Sequence, residues 1–164
     1  MTNRALRSRM LDAFDRAILR IIQRDAKTPQ RKIAEAVNLS AAAVQRRIAA
    51  MESAGVVTKN VAIVEPDALG LGITAIVEVQ LGDERSKSVD AAKALFRDTP
   101  EVQQCYFATG GVSFVLIIVT ADMRSYEQLT RRLFGDNEAV RGYRTLIALD
   151  RVKFDTALIV PAVD

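Results

Sequence analysis

Residues 38–56 read N-L-S-A-A-A-V-Q-R-R-I-A-A-M-E-S-A-G-V. Ser40 has the side chain of a helix N-cap, and Leu39 before it and Val44 after it have the spacing of a hydrophobic staple. Val44, Ile48 and Met51 recur at helical spacing and form one buried stripe. Gly55 ends the helix, and Val56 is placed to fold back on Met51 as in a Schellman ending. At about 100° per residue, the direction opposite that stripe is held by Ala42, Arg46, Ala49 and Ser53. Gln45 and Ala50 flank it.

Working backwards, a short helix precedes this one. Thr28 reads as its cap with Pro29 at the first helical position, Ile33, Ala34 and Val37 as its apolar side, and Asn38 as a left-handed end. Before it, Asp12 caps a first helix in which Phe14, Ile18, Ile21 and Ile22 share a face, with Asp15 in the first turn. A short helix, a tight turn and a capped helix make a helix-turn-helix.

Charge supports a polyanionic partner for this part. Residues 1–60 carry 12 Lys/Arg against 5 Asp/Glu, while residues 61–164 carry 11 against 15. On the outer face of the third helix, small side chains let it approach a DNA major groove. Arginine reads guanine, glutamine reads adenine, and an alanine methyl touches thymine. Ala42, Gln45, Arg46 and Ala49 are the candidate reading residues. Arg47, nearer the buried stripe, suits a phosphate contact or a salt bridge. Arg31, Lys32 and Lys59 are further phosphate candidates. Surface alanines that simply favour helix are the plain alternative.

The rest of the chain changes pattern. Val56 to Val64 reads as a strand or extended linker, and Glu65-Pro66-Asp67 and Gly70-Leu71-Gly72 break it. The expected organisation is a helix-turn-helix domain at 1–60, a linker strand at 61–72 and a second domain at 73–164. In the second domain, strands are expected at 73–81, 102–108, 114–120 and 140–152, with 157–160 a candidate fifth. Helices are expected after Ser88 and after Asp122. The order strand, helix, strand, strand, helix, strand is the ferredoxin-like split βαβ arrangement: one antiparallel sheet with both helices on one face. The fold class is α+β. The uncovered sheet face and edges favour self-association.

Several chemistries lose support. The 164 residues contain no histidine and a single cysteine, Cys105. The commonest general base and metal ligand are missing, so no metal site, cofactor or catalytic residue is expected. No apolar run is long enough to span a bilayer, and a cytoplasmic protein is expected. Thr109-Gly110-Gly111-Val112-Ser113 begins like a nucleophile elbow, but Val115 stands where the second glycine belongs, and no histidine exists to activate Ser113. A glycine hairpin turn or a ligand loop remains.

The segments L-D-A-F-D-R-A-I-L, K-I-A-E-A-V-N-L-S, V-Q-R-R-I-A-A-M-E-S-A-G-V-V, P-E-V-Q-Q-C-Y-F-A-T-G-G and Y-R-T-L-I-A-L-D-R-V-K, in this order, resemble the Lrp/AsnC (feast/famine) transcription regulators. The resemblance implies a DNA-binding first domain and a second domain that binds an effector, often an amino acid, and assembles dimers into octamers on double-stranded DNA. It implies an effector loop at Thr109, Gly110, Gly111, Val112 and Ser113, with Tyr143 and Thr145 lining the same pocket. Where the family commonly has G-D-F-D or G-D-Y-D, this chain has Gly110-Gly111-Val112-Ser113. Both loop carboxylates are gone, and a serine hydroxyl offers only a neutral hydrogen bond. Sirohaem decarboxylases built on the same scaffold are the alternative from a different functional class, and an assembly protein without effector response is a third.

Overall fold

A computed structural model describes residues 11–162. The basic start of the chain, residues 1–10, counted in the charge balance above, lies outside the described residues. The chain divides into two compact units: of the described residues, 11–62 and 154–162 fall in one, and Ile63–Lys153 in the other.

In the first unit, α1 (Ala13–Ile22), α2 (Gln30–Val37) and α3 (Ala41–Ser53) pack around Ile18, Ile33, Ala34, Val37, Val44 and Met51, all buried. The local signals act as their chemistry dictates. Asp12 caps α1 through a reciprocal box with Asp15, whose backbone N–H donates to Asp12 Oδ1 at 2.8 Å. Ser40 caps α3 by accepting from the Ala43 N–H at 3.2 Å. Asn38 takes the left-handed conformation at φ 53°, which sharpens the turn between α2 and α3. The Val56 N–H returns to the Met51 carbonyl at 2.9 Å, closing the Schellman ending beyond Gly55. One cap differs from expectation. The Thr28 hydroxyl donates backward to the Asp25 carbonyl at 2.7 Å, so Pro29 occupies the cap position of α2 and no side chain fills it.

The second unit is a four-stranded antiparallel sheet, β1 (Ile73–Leu81), β2 (Val102–Phe107), β3 (Phe114–Thr120) and β4 (Val140–Ile147), in the order β2-β3-β1-β4. Helices α4 (Ser86–Arg97) and α5 (Met123–Thr130) connect the strands, and α5 continues into one wider turn, Arg131–Gly135. This is the ferredoxin-like order. Alternation assigns the faces. Ala75, Val77, Val79 and Leu81 meet Phe114, Leu116 and Ile118 on the helix side, against Val89, Ala92 and Phe96 of α4 and Tyr126 and Leu129 of α5. Phe96 has no exposed surface and stands edge-on to Phe114 at 5.2 Å and to Phe134 at 6.0 Å.

Four expected elements differ. Residues 61–72 contain no strand, only a single 3-10 turn at Pro66–Leu69; Val61, Ile63 and Val64 are exposed there, with no neighbouring strand to pair with. The fourth strand ends at Ile147 rather than near Val152, because β1 ends its pairing at Ala75, leaving one further bond from the Ala148 N–H to the Thr74 carbonyl. The candidate fifth strand at 157–160 is extended chain that belongs with the first unit, where helix side chains bind its backbone. Helix α4 also starts at Ser86, one turn's edge earlier than the cap expected at Ser88, with no side chain capping it.

Phe96 is the keystone of the sheet–helix core. Phe96→Ala is expected to cost about 3–5 kcal/mol, read as a lowered denaturation midpoint for the second unit with the far-ultraviolet helix signal of the first unit unfolding separately.

Candidate nucleic-acid interface and effector loop

The buried stripe of α3 fixes what its other side shows. Val44 and Met51 are buried, and Ala42, Gln45, Arg46, Ala49 and Ser53 are exposed. The side chain of Arg46 has no ion-pair partner among the described residues. Arg47, one residue on, is placed differently. Its Nη1 donates to Asp12 Oδ2 at 2.7 Å and to Asp15 Oδ1 at 2.8 Å, and its guanidinium lies 5.4 Å from the Phe14 ring centroid. Arg47 therefore ties α3 to α1, and its charge serves the fold. Its place beside the buried stripe suits a salt bridge, but which acids it meets is set by the packing of α1 against α3. Arg31 is exposed and pairs with Glu35 at 3.2 Å on its own helix, and Lys59 is exposed beyond α3.

The Asp15 backbone N–H bonded to the Asp12 carboxyl, with the Arg47 guanidinium beside it, holds Asp12 below the usual carboxylate range. Such a group stabilises the fold above its unfolded pKa, about 3.9, and that contribution is lost as pH falls through the lower folded value.

In the second unit, Gly110 and Gly111 both have positive φ, 105° and 98°, which other residues rarely adopt. They lie in a six-residue connection between β2 and β3, closed by the Ala108 N–H donating to the Ser113 carbonyl at 3.0 Å. The expected glycine turn is thus the exposed tip of a loop one residue longer than the 109–113 gap between the expected strands, since β2 ends at Phe107. Thr109 is exposed as well.

Ser113 is not at that tip. It is 1% exposed. Its hydroxyl accepts from the Leu81 N–H at 3.1 Å and donates to Glu84 Oε1 at 3.1 Å. The β1–β4 register shifts between Gln80 and Leu81, and at that bulge Ser113 supplies the acceptor for the Leu81 N–H. The hydroxyl expected to face an effector is spent inside the fold. Glu84, which no sequence pattern singled out, is brought to it from the loop after β1.

Tyr143 and Thr145 lie on the helix side of edge strand β4. The Tyr143 ring is 4.7 Å from that of Phe134, and the Thr145 hydroxyl shares a 2.5 Å hydrogen bond with Tyr126. Thr145 lines a cleft of about 460 Å³ with Met123, Arg124 and Glu127 of α5. Gly111 and Val112 line another, of about 290 Å³, with Gln80, Glu78, Gly142 and Arg144. Tyr143 borders both clefts. Of the expected effector residues, Gly111, Val112, Tyr143 and Thr145 are thus divided between two clefts, and Thr109, Gly110 and Ser113 line neither. In the second cleft Arg144 and Glu78 form a two-pronged pair across β4 and β1, both contacts at 2.9 Å. Cys105, on edge strand β2, reaches solvent, and the packing around its sulfur pushes the thiol pKa up despite Arg97 and Lys93 nearby. That is opposite to what a reactive thiolate requires. Among the described residues no helix is long and apolar enough to cross a membrane, and no cluster of metal-ligating side chains occurs.

Arg47→Met is expected to destabilise the first unit by about 2 kcal/mol, because the buried Asp15 loses the guanidinium contact that Arg47 gives it. In thermal melts from pH 5 to pH 2.5 the variant should also lose less stability than the parent. Ser113→Ala is expected to cost about 1–2 kcal/mol by stranding the Leu81 N–H. Ser113→Asp should cost more, since a buried carboxylate would face Glu84. Denaturant titration of both variants checks the order.

Comparison with known proteins agrees with this geometry. The Lrp/AsnC ligand binding domain model matches residues 74–158, and a winged helix-turn-helix DNA-binding model matches residues 11–58. The chain is 41% identical over 143 residues to the HTH-type transcriptional regulator y4tD of Sinorhizobium fredii, covering 87% of this chain and 85% of that one. It is 33% identical to the proline dehydrogenase transcriptional activator of Rhodobacter capsulatus, covering 87% and 93%. Its fold matches a transcriptional regulator from Neisseria meningitidis solved with L-methionine, at 26% identity and TM-score 0.84, covering 91% and 96%. With a winged helix-turn-helix ahead of an α+β sheet domain of this type, the chain belongs to the Lrp/AsnC family and is a DNA-binding transcription regulator.

Proposed function

We propose that the protein binds double-stranded DNA as a homo-oligomer, placing α3 in the major groove, and that a small zwitterion held in the cleft beside Gly111 and Val112 modulates it. The observation that carries the DNA reading is the division of labour between adjacent arginines. Arg47 is consumed by Asp12 and Asp15, while Arg46 has no ion-pair partner among the described residues and stands with Ala42, Gln45 and Ala49 on the exposed face. Arg46 and Gln45 are the base-reading pair, with Arg31 and Lys59 as phosphate contacts. Arg47 acts as a positioning residue for the reading helix.

The open face of the sheet supports self-association. Ile76, Val115, Ile117 and Leu146 lie on the side away from the helices, and Leu146 is 46% exposed. A second copy covering this face buries apolar surface that water otherwise contacts. Dimers assembling into octamers suit such a chain.

For the effector, the second cleft offers both charges of a zwitterion, Arg144 for a carboxylate and Glu78 for an ammonium group, beside backbone that glycine leaves uncovered. The L-methionine bound by the Neisseria relative supports an amino acid as ligand class. A regulator acting on DNA in the cytoplasm, without enzymatic activity, is the reading preferred over a decarboxylase.

Selection of bound sequences from a random DNA pool gives the preferred site. Arg46→Ala is expected to weaken binding to that site about 10- to 100-fold, and binding to random DNA by much less. An equal loss on both would make Arg46 a phosphate contact. Calorimetry with individual amino acids, on the parent and on Arg144→Gln, tests the effector cleft; binding unaffected by the change places the ligand elsewhere.

A further inference from the structure

The outer face of α1 is occupied by the far end of the chain. Arg16, Arg20 and Gln23 lie at helical spacings of four and three, so they share one face. Gln23 Nε2 donates to the Leu158 carbonyl at 2.7 Å, and the Leu158 N–H returns to Gln23 Oε1 at 2.9 Å. Arg20 Nη2 donates to the Val160 and Pro161 carbonyls at 3.0 and 3.2 Å, and Arg16 Nη1 to the Pro161 carbonyl at 3.2 Å. All five bonds end on backbone atoms of residues 158–161. The side chains take little part: Leu158 is 77% and Ile159 95% exposed.

The lengths match. Seven residues of helix rise about 10.5 Å, and three steps of extended chain cover about 10 Å. The Gln23 amide mimics a strand partner, offering one donor and one acceptor to a single residue. The two arginines take the carbonyls of Val160 and Pro161 further along. An extended backbone is the shape this face receives.

The chain leaves the first unit at 62–63 and returns to it at 153–154. The first of these passages runs through residues 57–65, which have no regular structure and are largely exposed. We propose that residues 158–161 are a strap that gives the DNA-binding unit a second attachment, and that its attachment strengthens DNA binding. A unit held at one point explores more orientations than one held at two, and it forfeits more freedom when it docks on DNA. In an oligomer that presents two such units to paired half-sites, the strap raises the effective concentration of the second unit once the first has bound. The proposal rests on the DNA-binding reading and adds a route by which the rest of the chain tunes it.

The test uses the full chain and Gln23→Ala, with Arg20→Gln as a second variant. Gln23 and Arg20 are exposed, outside the core of α1 and away from the reading face of α3. Hydrogen exchange is followed at the Leu158 amide and at the α1 amides. DNA affinity is measured on the selected site and on the same DNA with one half-site scrambled. The strap predicts a Leu158 amide protected in the parent and exchanging at least tenfold faster in Gln23→Ala, with α1 unchanged. It also predicts several-fold weaker binding to the paired site in both variants, where both effects act, and a smaller loss on the single half-site, where only the docking entropy does. An unprotected Leu158 amide in the parent overturns the attachment. Released strap with equal or tighter DNA binding overturns its role. If the parent binds no DNA at all, the regulator reading fails together with the strap's effect on affinity, while the exchange data still judge the attachment itself.

Discussion

Asp15 is a carboxylate with 1% of its surface exposed, and a buried charge has to find a partner. Arg47 is that partner, and one guanidinium nitrogen answers both Asp15 and the half-exposed Asp12. The consequence reaches beyond α1. Once Arg47 is fixed toward α1, the rotation of α3 about its axis is fixed, and Ala42, Gln45, Arg46 and Ala49 must face outward. The same pair of aspartates also closes the capping box, so helix start and helix packing are set by one cluster. A surface ion pair would contribute little. This one matters because taking a guanidinium contact away from a buried carboxylate is expensive.

In the sheet unit the governing constraint is alternation. Leu81, Val79, Val77 and Ala75 cannot all face the helices unless β1 keeps its register with β3, and the shift in the β1–β4 pairing falls at its end, between Gln80 and Leu81. The bulge leaves a backbone donor to satisfy, and Ser113 does so from the last residue of the loop before β3. The loop tip at Gly110–Gly111 is thus anchored at its base by a buried hydroxyl while its own backbone stays open. Serine fits where a carboxylate facing Glu84 would not. The serine at position 113, where the family pattern commonly has its second loop carboxylate, is therefore coupled to a local structural solution.

Much of the fold was legible because the signals were local. Ser40, Asn38 and Gly55 act within a turn of themselves. The 3.6-residue stripe of α3 and the two-residue alternation of β1 and β3 report which face is buried regardless of what covers it. The element order alone implied the strand order β2-β3-β1-β4, since short connections leave few alternatives. Thr28 misled because its hydroxyl has two reachable partners, and the Asp25 carbonyl won over the α2 amides. The apolar residues of 61–64 and 157–160 suggested strands, but an apolar run becomes a strand only where another strand stands beside it.

The candidate sites divide along the same line. The sequence by itself determined the helix-turn-helix, its outward residues, the ferredoxin-like order and the position of the glycine loop, because each rests on contacts between residues near in the chain or on a period. Only the tertiary structure decided that Arg47 belongs to Asp12 and Asp15, that Ser113 points inward to Leu81 and Glu84, and that residues 158–161 lie on α1. Those pairings join residues 29 to 145 positions apart, and a side chain with several possible hydrogen-bond partners carries no mark in the sequence of which one the fold will bring within reach.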